Sequence, residues 1–359
     1  MYTPKTNTIE KHLQSPQISL ERYRKEKHLA LSVSIVQRKK VYFDTNFWIY
    51  LREAHLDKTS DKAKLKLLNM ACDLAESRRA VFPISETGFI EILKQTDPIS
   101  LETTVELVDK LSCGVTLIHI EERVRLEMLR FFYELLGKET YESDALVWTK
   151  LAYVVGFQSP EFEGKNQILF DAIQKAFLDE MWELQLAHML DVIGFSSVSS
   201  IPQMPDMSEG LNRGKFENAD AAKSFAKMFL IELSGSIQAC KDVFSELSDR
   251  FDNIDPNILA GFVFDHLTKV SDSLHLPSLL IPAGLHAAVR WNKDHKFKPN
   301  DMNDFFHATG ALPYCDYFMT ENPLRHLVKQ QNLAFDKRYS CTVVSKVTDA
   351  VSELSKLCE

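Results

Sequence analysis

The chain has 359 residues, 45% of them hydrophobic and 26% charged, with a formal net charge of -8. That is the balance of an ordinary soluble globular protein, long enough for one large core or two smaller ones. The acidic balance argues against a surface that clamps nucleic acid over its whole extent, but it leaves room for a local basic groove. The six cysteines (Cys72, Cys113, Cys240, Cys315, Cys341 and Cys358) are scattered without a C-x-x-C pair. A disulfide framework or a structural zinc site is therefore not expected, and reduced cytosolic thiols are. The opening "MYTPKTNTIEKHLQ" lacks the apolar core of a signal peptide. No apolar run approaches the roughly 18 residues that span a bilayer. The expectation is a cytoplasmic protein with no membrane partner.

Residues 1–40 are polar and basic in places ("ERYRKEKH", "VQRKK") and read as an N-terminal arm. The first strong element is a strand in "VYFDTNFWIYL", entered from Lys39 and Lys40. A helix follows in "SDKAKLKLLNMACDLAES", with Ser60 as its N-cap and Leu65, Leu68, Cys72 and Ala75 on one face. A second apolar run, "AVFPIS", leads into a helix at "SETGFIEILK", and a third, "GVTLIHI", into "EERVRLEMLRFFYELLG". Alternating strands and helices are the pattern of an α/β fold with a parallel sheet.

From about 140 to 295 only helical periodicity is evident, as in "NQILFDAIQKAFLDEMWELQLAHMLDVIG" and "NADAAKSFAKMFLIELSG". The Ser-, Pro- and Gly-rich "FSSVSSIPQMPDMSEGLNRGKFEN" between these reads as an exposed loop. After about 295 the α/β style returns, with a helix in "NDMNDFFHATGALPYC", a strand in "DYFMT", a helix in "NPLRHLVKQQ", a strand in "CTVVSK" and a closing helix. The expected organisation is an arm (1–40), an α/β core in two parts (41–139 and 296–359) and a large all-helical insertion (140–295).

Ligands of open parallel sheets bind at the carboxyl ends of the strands. Asp44 ends the first strand, and Glu86 and Glu91 follow the second. Asp304 lies in the first turn of a helix, and Asp316 and Glu321 bracket the "YFMT" strand. Carboxylates gathered from separate segments repel one another and stay ionised together only around a cation. All-oxygen ligands favour Mg²⁺ or Mn²⁺ over zinc.

The blocks "VYFDTNFWI", "SETGFIEIL" and "NDMNDFFHATGALPYCDYFMTEN" resemble the three acidic blocks of PIN-domain nucleases, a family that includes the toxin ribonucleases of bacterial toxin–antitoxin pairs. The resemblance covers roughly residues 40–95 and 300–350 and implies a PIN-like parallel sheet flanked by helices. It matches Asp44 to the first family acid, Glu91 to the second with Glu86 as the alternative, and Asp304 to the third. Asp316 or Glu321 stands near the fourth, where this chain has "TEN" and the family commonly has Asp. Thr45, Asn46 and Thr320 would orient ligands and water. The implied activity is a metal-dependent endoribonuclease in which one or two ions, ~3.5–4 Å apart if two, activate a water against a phosphodiester.

Each acid also has a reading without metal. Asp301 with Asp304 fits a helix cap, and Glu86 fits a first-turn acid. Asp44 is harder to account for, since a carboxylate between two apolar runs needs hydrogen bonds or a cation. Lys39, Lys40, Arg213, Lys215 and Arg325 are candidate phosphate contacts, or simply a solvated face. Arg290 and His295 have the Arg-x4-His spacing of HEPN ribonucleases, a short match that arises easily by chance. RNA is the favoured partner, and the helical insertion is a candidate docking site for a protein partner or inhibitor. The alternatives are a DNA nuclease of a phage-defence system and a non-cleaving scaffold that binds nucleic acid or protein.

Overall fold

The structure is a computed structural model and describes residues 7–164, 166–193, 208–217, 224–269, 275–292 and 296–358. The chain is mixed α/β, mostly helical, with short parallel strand pairings. It divides into two compact units. The first comprises Met1–His119, Tyr141–Ile201 and Lys346–Glu359, and the second Ile120–Thr140 and Pro202–Ser345. Among the described residues no helix is long and apolar enough to cross a membrane.

In chain order the elements begin with α1 (Ile9–Leu13), α2 (Leu20–Ile35), β1 (Lys39–Phe43) and α3 (Thr45–His55). They continue with α4 (Lys62–Glu76), β2 (Ala80–Val81), α5 (Glu86–Leu93), α6 (Pro98–Ser112), β3 (Val115–Leu117) and α7 (Ile120–Leu135). Then come β4 (Trp148–Lys150), α8 (Gln167–Trp182) and α9 (Leu186–Ile193). In the first unit β1 pairs in parallel with β2, Lys39 opposite Ala80 and Lys40 opposite Val81. The β2 ladder stops where Pro83, which has no amide hydrogen, interrupts the run. Pairing resumes beyond it as a single parallel bridge between Ile84 and Thr116. Val41, Tyr42 and Phe43 are buried, and Phe43 stacks on Phe82 with centroids 5.1 Å apart.

Two local expectations are corrected in this unit. The N-cap of α4 is Asp61, whose side chain accepts from the Ala63 amide at 2.8 Å, and not Ser60. The buried face of α4 runs through Leu67, Leu68, Met70, Ala71, Leu74 and Ala75, leaving Leu65 and Cys72 half-buried at its margin. The stretch 140–295 is also not wholly helical, because β4 pairs antiparallel with β3, Val115 opposite Lys150. Three residues are too few to display an alternating pattern, so this strand left no periodic signal.

The arm is helical and is fastened by one carboxylate. Asp179 of α8 accepts from Thr8 Oγ1 at 2.7 Å, Tyr23 OH at 2.6 Å and Lys27 Nζ at 2.6 Å, with His12 Nε2 at 2.9 Å. Burial alone would raise the pKa of the Asp179 carboxyl. The Lys27, Tyr23, Thr8 and His12 donors outweigh it and hold the group well below the usual carboxylate range.

The remaining elements are α10 (Ser208–Glu217), α11 (Phe225–Ala239), α12 (Lys241–Arg250), α13 (Pro256–Lys269), α14 (Pro277–Trp291) and α15 (Asp301–Ala311). They end with β5 (Tyr317–Met319), α16 (Asn322–Val328), α17 (Phe335–Arg338), β6 (Thr342–Val344) and α18 (Val347–Ser355). Part of the Ser-, Pro- and Gly-rich stretch expected as a loop is thus helix α10, and 194–207 and 218–223 lie outside the described residues. The second unit has a helical core in which Val124, Met128, Phe131 and Phe132 of α7 meet Leu233, Phe244, Val263 and Leu279 from α11 to α14. That apolar face of α7 groups residues 120–140 with this unit, across the composition shift near 140. β5 and β6 pair in parallel, Phe318 opposite Val343. Glu127 lies fully buried here and accepts from the Ser278 amide at 3.0 Å, Ser278 Oγ at 2.7 Å and Tyr314 OH at 2.5 Å. It thereby satisfies one backbone amide at the start of α14, that of Ser278.

Gly284 marks a close approach in the second unit. A Cβ there would lie 2.6 Å from Phe335 Cζ and 2.9 Å from Leu333 Cδ2. Gly284→Ala is therefore expected to destabilise the protein by about 1–3 kcal/mol through overpacking, despite the roughly 1 kcal/mol that Ala gains over Gly in a helix. Denaturant melts should show the loss, and Phe335→Leu should recover part of it.

Candidate active site

Asp44 stands at the carboxyl end of β1 and is 5% exposed. Its side chain caps α3, Oδ1 accepting from the Phe47 amide at 3.2 Å. The sequence dictates both features: the apolar run ends at Phe43, and the next residue has the short acceptor that orphan helix amides need. Thr45, the first residue of α3, donates its hydroxyl to Glu91 Oε2 on α5. Two of the acids singled out in the sequence are thus linked through Thr45, the residue next to Asp44. Tyr42 OH and Ser85 Oγ lie 2.6 Å apart beneath them, joining the end of β1 to the N-cap of α5. Glu86 is buried in the first turn of α5, where the helix dipole favours a carboxylate.

Three further candidates belong to the second unit. Asp304 lies one turn into α15, half-buried, and the N-cap of that helix is Asn300. Asn300 makes no side-chain capping bond, and Asp301 Oδ2 accepts from the Lys298 amide at 3.0 Å. The expected cap formed by Asp301 with Asp304 is therefore not the arrangement found. His307, one turn on, is 2% exposed. Asp316 precedes β5, its carbonyl accepting from the Thr342 amide at 2.9 Å, whereas Thr320 and Glu321 follow the strand. The two acids thus sit at opposite ends of β5, and Glu321 holds the carboxyl end. The Thr320 side chain is 1% exposed, and its hydroxyl makes no hydrogen bond among the described residues.

Among the described residues no group of three or more His, Cys, Asp or Glu side chains forms a metal-holding cluster. The donor chemistry at Asp44 and Glu91 suits a hard cation in kind. Both are carboxylates, and each is oriented by a hydrogen bond from a neighbouring amide or hydroxyl, as metal-ligating carboxylates are. Arg290 of the Arg-x4-His spacing is held in an ion pair by Glu232 at 2.6 Å, with both side chains largely buried, and His295 lies outside the described residues. No protein-family model, curated protein or solved structure matches the chain.

One feature of the first unit had no signal in the sequence. Lys150, at the end of β4, faces a cleft of about 500 Å³ lined also by Tyr23, Lys27 and Leu31 of α2 and by Trp182 at the end of α8. These residues lie too far apart in the chain for any motif to unite them.

Proposed function

We propose that this protein is a metal-dependent nuclease of PIN-like type that hydrolyses RNA phosphodiester bonds. The observation that supports the reading best is the buried Asp44 at the end of β1, with the adjacent Thr45 hydroxyl bonded to Glu91. A carboxylate at a strand's carboxyl end lies where α/β folds bind ligands. The sequence pattern extends the assignment to Asp304 and to Asp316 or Glu321 as further ligands. Bound Mg²⁺ or Mn²⁺ would polarise a phosphoryl oxygen and lower the pKa of an attacking water. Asp44 and Glu91 would hold the ion, and the Phe47 amide and Thr45 hydroxyl would fix the direction of their oxygens. The helical stretch 140–295 would, on the sequence reading, shape the substrate path or receive a protein partner.

Cleavage of total RNA and of single-stranded DNA with Mg²⁺, Mn²⁺ or EDTA tests the reading. RNA cleavage that needs metal supports it. Cleavage of DNA alone would replace the substrate with DNA, and no cleavage of either by folded protein would leave a binding scaffold. The strand geometry adds a finer expectation: Glu321→Gln should lower the cleavage rate more than Asp316→Asn, because only Glu321 follows β5. A Glu321→Gln variant that cleaves as fast as the wild type would remove Glu321 from the site.

A further inference from the structure

We infer that the cleft between α2, the end of β4 and the end of α8 is a binding site for a small phosphorylated molecule of about mononucleotide size. The group that points to a ligand is Lys150. Its side chain is half-buried, its ammonium donates to the Cys113 carbonyl at 3.0 Å, and among the described residues it makes no other hydrogen bond and no ion pair. Cys113 adopts a left-handed conformation and Gly114 a φ of +72°, which turns that carbonyl toward the amine. A Cβ on Gly114 would lie 3.3 Å from Lys150 Nζ, so the glycine lets the amine approach the backbone closely. With one backbone acceptor among the described residues, this ammonium has two further donors to offer a ligand. Partial burial of the side chain pulls the Lys150 pKa below the ordinary lysine value, against the attraction of Glu183.

A second ammonium lines the same cleft. Lys27 spends one donor on Asp179, and an ammonium carries three. Two lysines around one ligand suit a dianion with several acceptor oxygens, and lysine binds phosphate as a point charge. Leu31 and Trp182 give the lining an apolar side, Tyr23 and Ser34 add hydroxyls, and a volume of about 500 Å³ lies within the usual range for small-molecule sites. Two carboxylates line the cleft as well, and they are already compensated or solvated: Glu26 pairs with Arg22 at 2.9 Å, and Glu183 is exposed. They count against a polyphosphate and leave a monophosphate with an apolar body as the best match. This assignment does not depend on the nuclease reading.

Calorimetric titration in EDTA, with adenosine monophosphate, adenosine and inorganic phosphate as probes, tests it on the full chain. The expected result is binding of adenosine monophosphate, with adenosine and inorganic phosphate each weaker. Lys150→Met should weaken binding at least about tenfold at an unchanged melting temperature, and Lys150→Arg should keep most of it. Lys150→Gln serves if the Met variant does not fold. Asp44→Asn should bind as the wild type does. The proposal is overturned if no heat is seen at millimolar adenosine monophosphate, or if the Lys150 variants bind unchanged. Adenosine or inorganic phosphate binding as tightly as adenosine monophosphate would also overturn it, as would loss of binding in Asp44→Asn.

Discussion

Asp44→Asn is expected to reduce metal-dependent RNA cleavage by more than about 100-fold, the upper end of what losing an outer-shell partner of a metal costs, while the melting temperature in EDTA stays unchanged. The substitution separates the two roles that Asp44 can play. As the N-cap of α3 it supplies an oxygen to the Phe47 amide, and asparagine caps a helix as well as aspartate does. As a metal ligand it supplies charge, which asparagine lacks. Thermal melts with and without Mn²⁺ give an independent reading, because a cation bound only to the folded state raises the melting temperature by linkage. The wild type should be stabilised by Mn²⁺ and Asp44→Asn should not. Cleavage and metal response that both survive the substitution would reduce Asp44 to a cap. Thr45→Val should fall between the two, with a rate loss of about 10–100-fold, since it removes only the bond that orients Glu91.

Asp179→Ala is expected to cost about 3–5 kcal/mol, the usual result of removing one partner from a buried charged network, and to release the arm formed by α1 and α2. Thr8, His12, Tyr23 and Lys27 all converge on this carboxylate, which is 9% exposed. Limited proteolysis should cut within residues 8–35 of the variant under conditions that leave the wild type whole. The pH dependence has a definite sign. The folded-state pKa of Asp179 is depressed, so its contribution is present above the ordinary carboxylate value of about 3.9 and is lost as the pH falls below it. Asp179→Asn should therefore flatten the acid limb of the stability profile. An unchanged limb would mean that the network does not carry acid stability.

What could be read from the sequence was what repeats locally. β1, β5 and β6 stand out because short apolar runs end on acids, Thr or Lys, and α4 and α15 because their apolar residues recur at helical spacing. The Asp44 end of β1 was legible for the same reason: a lone carboxylate between Phe43 and Phe47 breaks the pattern. Elements whose identity comes from distant partners were not legible. β4 is a strand only because β3 lies beside it, 33 residues earlier at the Thr116–Thr149 pair. Lys175 reads as the polar position of a helix, yet it is 1% exposed and donates to the Ile18 carbonyl at 2.8 Å. Nothing near Asp179 in the sequence announces four donors from residues 8–27.

The last helix described, α18, buries Ala350, Val351 and Leu354 and packs on α4 in the first unit. The Arg79 guanidinium just beyond α4 donates to the Leu357 carbonyl at 3.0 Å, across 278 positions of chain. During synthesis, therefore, the unit that is translated first cannot finish first. The α4 surface that α18 covers stays open on the ribosome while the whole second unit is made. A chain stalled before residue 346 should accordingly be sensitive to protease around α4, and completed protein should resist.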